Sequence, residues 1–191
     1  RLWRLKKSKG LIVNFGLKSL GCEKVAERFK RRFERGGGVS PFKMPVGISV
    51  AKTNCAETVG VEAGIKDYVK GFRTLQPYAD YMTINISCPN AFGGQPFNNA
   101  EDFDKLMSAI TACGIEKPVF IKMPPDLKRE DVDGILEVAG RYRIAGFICT
   151  NLTKDRGNQR MMSKIVEKDL PEKGGISGKP VEGLANDLIK Y

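Results

Sequence analysis

Tyr81-Met82-Thr83-Ile84-Asn85-Ile86-Ser87-Cys88-Pro89-Asn90 is the stretch on which the fold and chemistry of this 191-residue chain turn. Its first half is rich in aromatic and β-branched residues and reads as a short strand. Its second half sets a cysteine and a proline between two asparagines, just where that strand must end. Asparagine carboxamides offer two donors and an acceptor, which suits the carbonyl and carboxylate edges of a small planar ligand. A cysteine on a proline-stiffened loop can carry a proton as thiol or thiolate, with an ordinary pKa near ~8.5. Taken alone, the same residues also fit a buried structural cysteine beside turn-forming asparagines.

On both sides of this stretch, helical and strand periods alternate. Val25, Phe29 and Phe33 predict a helix that stops at Gly36-Gly37-Gly38. Pro45–Val50 reads as a strand, and Ile65, Tyr68, Val69 and Phe72 mark one buried helix face. Phe103, Leu106, Met107 and Ile110 repeat that spacing, as do Val132, Ile135, Leu136 and Ala139. Val119–Lys122 and Gly146–Thr150 give two more strands, and a last helix starts near Pro180. Strand centres near Ile48, Ile84, Phe120 and Ile148 lie roughly one βαβ unit of ~30 residues apart. The alternation predicts an α/β fold with a parallel sheet, either doubly wound or closed as a barrel. Neither a dinucleotide-binding G-x-G-x-x-G nor a phosphate-binding P-loop occurs.

Polar residues at the strand ends favour the barrel. Ser49, Asn85 to Asn90, Lys122 and Thr150-Asn151 all fall at or just past the carboxyl end of a predicted strand. In an α/β barrel those ends converge on one face, where active sites are built. A single such residue is an ordinary loop cap, but four segments together point to a site. Lys122 ends an apolar strand; if it points inward it needs an anionic partner such as a reduced flavin or a ligand carboxylate. The other reading of Lys122 is an outward side chain snorkelling to water.

Composition narrows the classes. Five widely spaced cysteines (Cys22, Cys55, Cys88, Cys113, Cys149) form no C-x-x-C pair, so no disulfide framework and no metal site is expected. Histidine is absent, which leaves Cys, Ser, Lys, Tyr or a carboxylate for acid–base work. No apolar run is long enough to span a bilayer, and no signal-peptide pattern opens the chain. The net charge is +10, and residues 1–35 hold twelve basic against three acidic side chains. Such an end suits a solvated face, a membrane surface or an acidic ligand. Without aromatic RNA-binding or zinc-finger motifs, no nucleic-acid partner is expected.

The segment Asn85-Ile86-Ser87-Cys88-Pro89-Asn90 resembles the active-site loop of dihydroorotate dehydrogenases. Around it, Asp67–Phe72, Pro77–Tyr81, Ile121–Leu127, Thr150-Asn151 and Gly174–Pro180 follow in that family's order. The resemblance implies a (β/α)8 TIM barrel, present as the central part of a single FMN-binding domain over residues 1–191, with terminal strands and phosphate-binding loops outside it. It implies FMN-dependent oxidation of dihydroorotate to orotate in pyrimidine synthesis. Cys88 would be the general base, with a hydride passing to flavin N5. Asn85, Asn90 and Asn151, with Gly16 and Leu17, would hold the substrate. Ser49, Asn85, Lys122, Thr150 and Gly178 would line FMN.

Arg1-Leu2-Trp3-Arg4-Leu5 is similar to the P-R-L-x-R-L segment of the quinone-using, membrane-associated class 2. That implies quinone as electron acceptor and a cytoplasmic location with peripheral contact at the inner membrane. Cys88 matches instead the soluble class 1, where class 2 has serine. Val13 stands where the substrate loop has asparagine, Leu152 replaces a threonine, and Ser49 replaces an asparagine. A class 1 enzyme with a soluble acceptor, a related flavin-dependent pyrimidine reductase, and a non-catalytic ligand-binding barrel are the alternatives.

Overall fold

The computed structural model describes residues 1–38, 40, 42–88 and 93–191. Leu2–Leu5 (β1) and Gly10–Val13 (β2) form an antiparallel hairpin. Cys22–Arg35 (α1) follows and ends as its glycines predict. Gly37 and Gly38 take φ of 71° and 84°, and the Gly38 N–H donates to the Phe33 carbonyl at 2.9 Å. This left-handed closure is open to glycine at little cost.

Four strands then alternate with three helices: Gly47–Val50 (β3), Val61–Leu75 (α2), Tyr81–Asn85 (β4), Ala100–Ala112 (α3), Val119–Met123 (β5), Arg129–Gly140 (α4) and Ile144–Cys149 (β6). The strands pair in chain order, all parallel, as β3-β4-β5-β6. Asn99 caps α3 through its side chain, which accepts from the Asp102 N–H at 2.9 Å.

Alternate residues of each strand face opposite ways. Ile48, Val50, Met82, Ile84, Val119, Ile121 and Met123 join one core with Tyr68, Phe72, Phe103, Leu106, Met107, Ile110, Val132 and Ile135 of the helices. The other face carries Gly47, Ser49, Tyr81, Thr83, Asn85, Phe120 and Lys122, in register across the strands. Helices α1 to α4 pack neighbour on neighbour in sequence order along the single apolar face. A doubly wound sheet would have helices on both faces, so the α/β fold is part of a barrel, and the polar face is its interior.

The stretch after β6 forms a second, smaller unit. It contains Gln159–Met162 (α5), Gly175–Gly178 (β7) and Glu182–Lys190 (α6). Strand β7 pairs antiparallel with β2, giving a three-stranded sheet over a small core of Leu5, Ile12, Met161, Ile176 and Val181. The Ser8 hydroxyl hydrogen-bonds Glu167, whose other oxygen accepts the Lys7 N–H at 2.9 Å.

Two expectations need correction. The hairpin and β7 add to the expected elements, since the glycine-rich stretch Gly174-Gly175-Ile176-Ser177-Gly178 carries no strand periodicity. Two of its glycines stand at close approaches: a Cβ on Gly175 would meet the tip of Leu152, and one on Gly178 would sit 2.7 Å from the Lys9 carbonyl. Leu136 is 39% exposed, not buried, since Val132, Ile135, Val138 and Ala139 already fill the inward face of α4. The last helix starts near Pro180 as expected, the proline standing in the 3-10 turn Lys179–Val181 that leads into it at Glu182.

Two consequences are measurable in the full-length protein. A Cβ on Gly47 would lie 2.0 Å from Tyr81 Cζ, so Gly47→Ala should cost about 1–3 kcal/mol in urea unfolding. That penalty should vanish in a Tyr81→Ala background. Hydrogen bonding to Ser8 holds the Glu167 carboxyl below its ordinary 4.5. A group lowered in this way contributes stability that is present above 4.5 and lost as pH falls through the folded value. Glu167→Gln should therefore flatten the acid limb of the stability–pH curve.

Candidate active site

The register of the parallel strands decides which side chains meet. Asn85 at the end of β4 pairs with Lys122 on β5, and Lys122 with Ile148 on β6. One layer below, Ser49, Thr83, Phe120 and Gly146 stand side by side. Lys122 is half-buried on this interior face and has no carboxylate within 4.0 Å among the described residues. A cation placed so is suited to an anionic ligand.

Ser87, fully buried, joins the two asparagines. Its N–H and hydroxyl donate to Asn85 Oδ1 at 3.1 and 2.7 Å. Its carbonyl accepts from Asn151 Nδ2 at 2.7 Å. These bonds fix both carboxamides in orientation: Asn85 keeps its NH2 group to donate, and Asn151 keeps its oxygen to accept. The Asn151 N–H is held by the Met123 carbonyl at 3.1 Å, and the Asn85 carbonyl by the Tyr68 hydroxyl at 2.8 Å. Burial pushes the Tyr68 phenol well above its ordinary range, so it remains a donor.

Cys88, half-buried, follows Ser87 and lines a small cavity with Leu17, Lys52, Tyr68 and Asn85. This cavity, about 10 Å³, has room for one water. Ser49, Leu17 and Lys52 line a larger cleft of about 230 Å³ between β3 and α1. Thr150, Asn151 and Gly178 meet at a third, of about 310 Å³, beside the start of α6. Gly16 has φ of 62° and sets the turn that brings Leu17 to the first two spaces. Cys88, Asn85 and Leu17 thus share one cavity and Lys122 stands beside Asn85, whereas Thr150 and Gly178 join them only through Asn151. Asn90 lies outside the described residues.

Three contributors escaped the sequence reading. Ser87 looked like a loop residue, and its role comes from tertiary hydrogen bonds alone. Tyr68 was assigned only to a helix core. Lys52 is 3% exposed and donates to Thr58 Oγ1 at 3.4 Å. Its place just past the end of β3 was the signal that could have found it, by the same argument used for Lys122.

The sequence matches the family "Dihydroorotate dehydrogenase" over residues 1–191. The chain belongs to the dihydroorotate dehydrogenase family. It is 31% identical to a dihydroorotate dehydrogenase (quinone) of Crocosphaera subtropica, covering 100% of this chain and 49% of that protein. It is also 31% identical to one of Thermus thermophilus, covering 100% and 51%. The chain spans about half the length of these curated relatives. The crystal structure of a ligand-free dihydroorotate dehydrogenase from Eimeria tenella superposes with a TM-score of 0.83 at 22% identity, over 99% of this chain and 55% of that one.

Within this family framework the departures acquire structural meaning. Leu152 lies on Gly175 of β7, committed to packing instead of hydrogen bonding. Asn14, one residue past the expected asparagine position, uses its N–H to close the hairpin on the Arg1 carbonyl at 2.9 Å. No described helix is long and apolar enough to cross a membrane.

The Ser87 junction predicts an asymmetry. Asn151→Leu leaves a buried carbonyl unpaired and should cost about 1–3 kcal/mol, whereas Ser87→Ala leaves Asn85 one donor and should cost about 1 kcal/mol. Urea denaturation of the two full-length variants compares them directly.

Proposed function

We propose that the full-length protein oxidises dihydroorotate to orotate, with FMN as cofactor and quinone as the final electron acceptor, in pyrimidine synthesis. The carrying observation is Cys88 on the loop leaving β4, beside two asparagines whose carboxamides are pre-set through Ser87. Residues 1–191 are read as part of one FMN-binding barrel domain.

In this reading the Cys88 thiolate takes the C5 proton of dihydroorotate as the hydride leaves C6. Asn85 donates to a carbonyl or the carboxylate of the pyrimidine, and Asn151 accepts from a ring N–H, with Asn90 as a third contact from the same loop. Gly16 and Leu17 close the substrate side. Holding the ring in this way fixes the reacting carbons against the base. FMN, when bound, supplies the acceptor for the hydride. Lys122 fits that group, because it is an interior cation with no carboxylate of its own among the described residues; it would stabilise negative charge on the reduced ring. Ser49, Thr150 and Gly178 would line the rest of the cofactor.

The quinone assignment follows from the curated relatives, which bear that name. Peripheral contact with a membrane goes with it. Cys88 supports a second reading, a soluble acceptor, since cysteine is the base of the soluble class.

Anaerobic mixing with dihydroorotate should bleach the flavin absorbance of the wild-type protein. Cys88→Ala should slow that bleaching about 10²–10⁴-fold, the usual worth of a general base. A wild-type flavin that ignores dihydroorotate would overturn the proposal. Re-oxidation by quinone, compared with fumarate, separates the two acceptor readings.

A further inference from the structure

Thr153 is buried completely, and each of its polar groups is engaged. Its N–H donates to the Ile176 carbonyl at 3.0 Å, and its carbonyl accepts from the Ile176 N–H at 2.7 Å. Its hydroxyl donates to Asp126 Oδ1 at 2.6 Å and accepts from the Asp155 N–H at 2.9 Å. One residue therefore ties three pieces together: its hydroxyl joins the loop leaving β5 to the loop leaving β6, and its backbone joins that loop to strand β7 of the small sheet.

Asn151 lies inside this arrangement. Between the end of β6 at Cys149 and the anchored Thr153 there are three residues. The Asn151 N–H is pinned to Met123, and Leu152 is seated on Gly175. The loop is thus held at both ends, and the aim of the Asn151 carboxamide depends on both. Burial pushes the Asp126 carboxyl up from its ordinary range, opposed by the hydrogen bond from Thr153. Keeping a carboxylate there is costly unless its hydrogen bonds are made.

We infer that Asp126 is a positioning residue for the candidate active site, acting through the Thr153 hydroxyl to hold Asn151 against the bound pyrimidine. The kinetic part of this inference rests on the dehydrogenase reading, while the positioning part does not.

The test uses the full-length flavoprotein with Thr153→Val, which removes the hydroxyl at constant shape, Thr153→Ser, which keeps it, and Asp126→Ala. Thr153→Val and Asp126→Ala should each raise the orotate dissociation constant, read from the flavin spectrum, and the KM for dihydroorotate about ten-fold, as expected for one lost buried hydrogen bond. The kcat should stay within about two-fold, because the base is untouched. Amide exchange over residues 150–155 should quicken in both, and Thr153→Ser should restore binding and exchange together.

A fall in urea midpoint with unchanged KM and orotate affinity would overturn the inference, since the contact would then serve stability alone. If wild type neither binds orotate nor is reduced by dihydroorotate, the dehydrogenase reading fails by itself. Exchange then decides the positioning claim: faster exchange rescued by serine sustains it, and unchanged exchange overturns it.

Discussion

The structure depends first on the register of parallel pairing between β4 and β5. Hydrogen bonding sets Thr83 opposite Phe120 and Asn85 opposite Lys122, while Met82, Ile84, Ile121 and Met123 turn to the helices. A slip of one residue would send the apolar set into the interior and Lys122 into the helix layer. Burial of those apolar side chains against α2, α3 and α4 fixes the register, and the register delivers the polar row. Stability and site are two faces of one sheet.

The ends of the strands then build the site from satisfied peptide groups. A chain leaving a sheet must find partners for its N–H and C=O groups. Here those partners are the carboxamides of Asn85 and Asn151, meeting at Ser87. Groups that close the backbone are thereby oriented, and each retains its complementary half, a donor on Asn85 and an acceptor on Asn151. Preorganisation of this kind lowers the ordering cost of binding a small planar ligand.

The basic amino-terminal region finds its account in α1. None of the residues of that helix is buried, although Val25 and Phe29 lean on the main core. Phe29 stacks on Tyr78, and Arg32 lies 5.6 Å from the centre of the Phe42 ring. The Arg32 guanidinium over the Phe42 ring is a cation–π contact at the surface. The charged residues of α1 form a solvent-facing surface in the described structure.

The alternation of helices and strands, their order, and the barrel rim were legible in the sequence because they follow from local periodicity and turn residues, as at Gly36–Gly38 and Ile65–Phe72. The loop carrying Cys88 was legible because its residue types are chemically specific. Tertiary structure alone decided the rest. Strand β7 runs close to Leu152 at Gly175 and to the Lys9 carbonyl at Gly178, whose φ of 88° also favours glycine, and nothing local marks that pairing. Ser87, Lys52, Tyr68 and Thr153 gain their roles from partners far away in the chain. A hydrogen bond across 64 residues, such as that from Asn151 to Ser87, leaves no periodic trace. Sequence determined which residue types stand at the strand ends, and packing determined which of their atoms are left free.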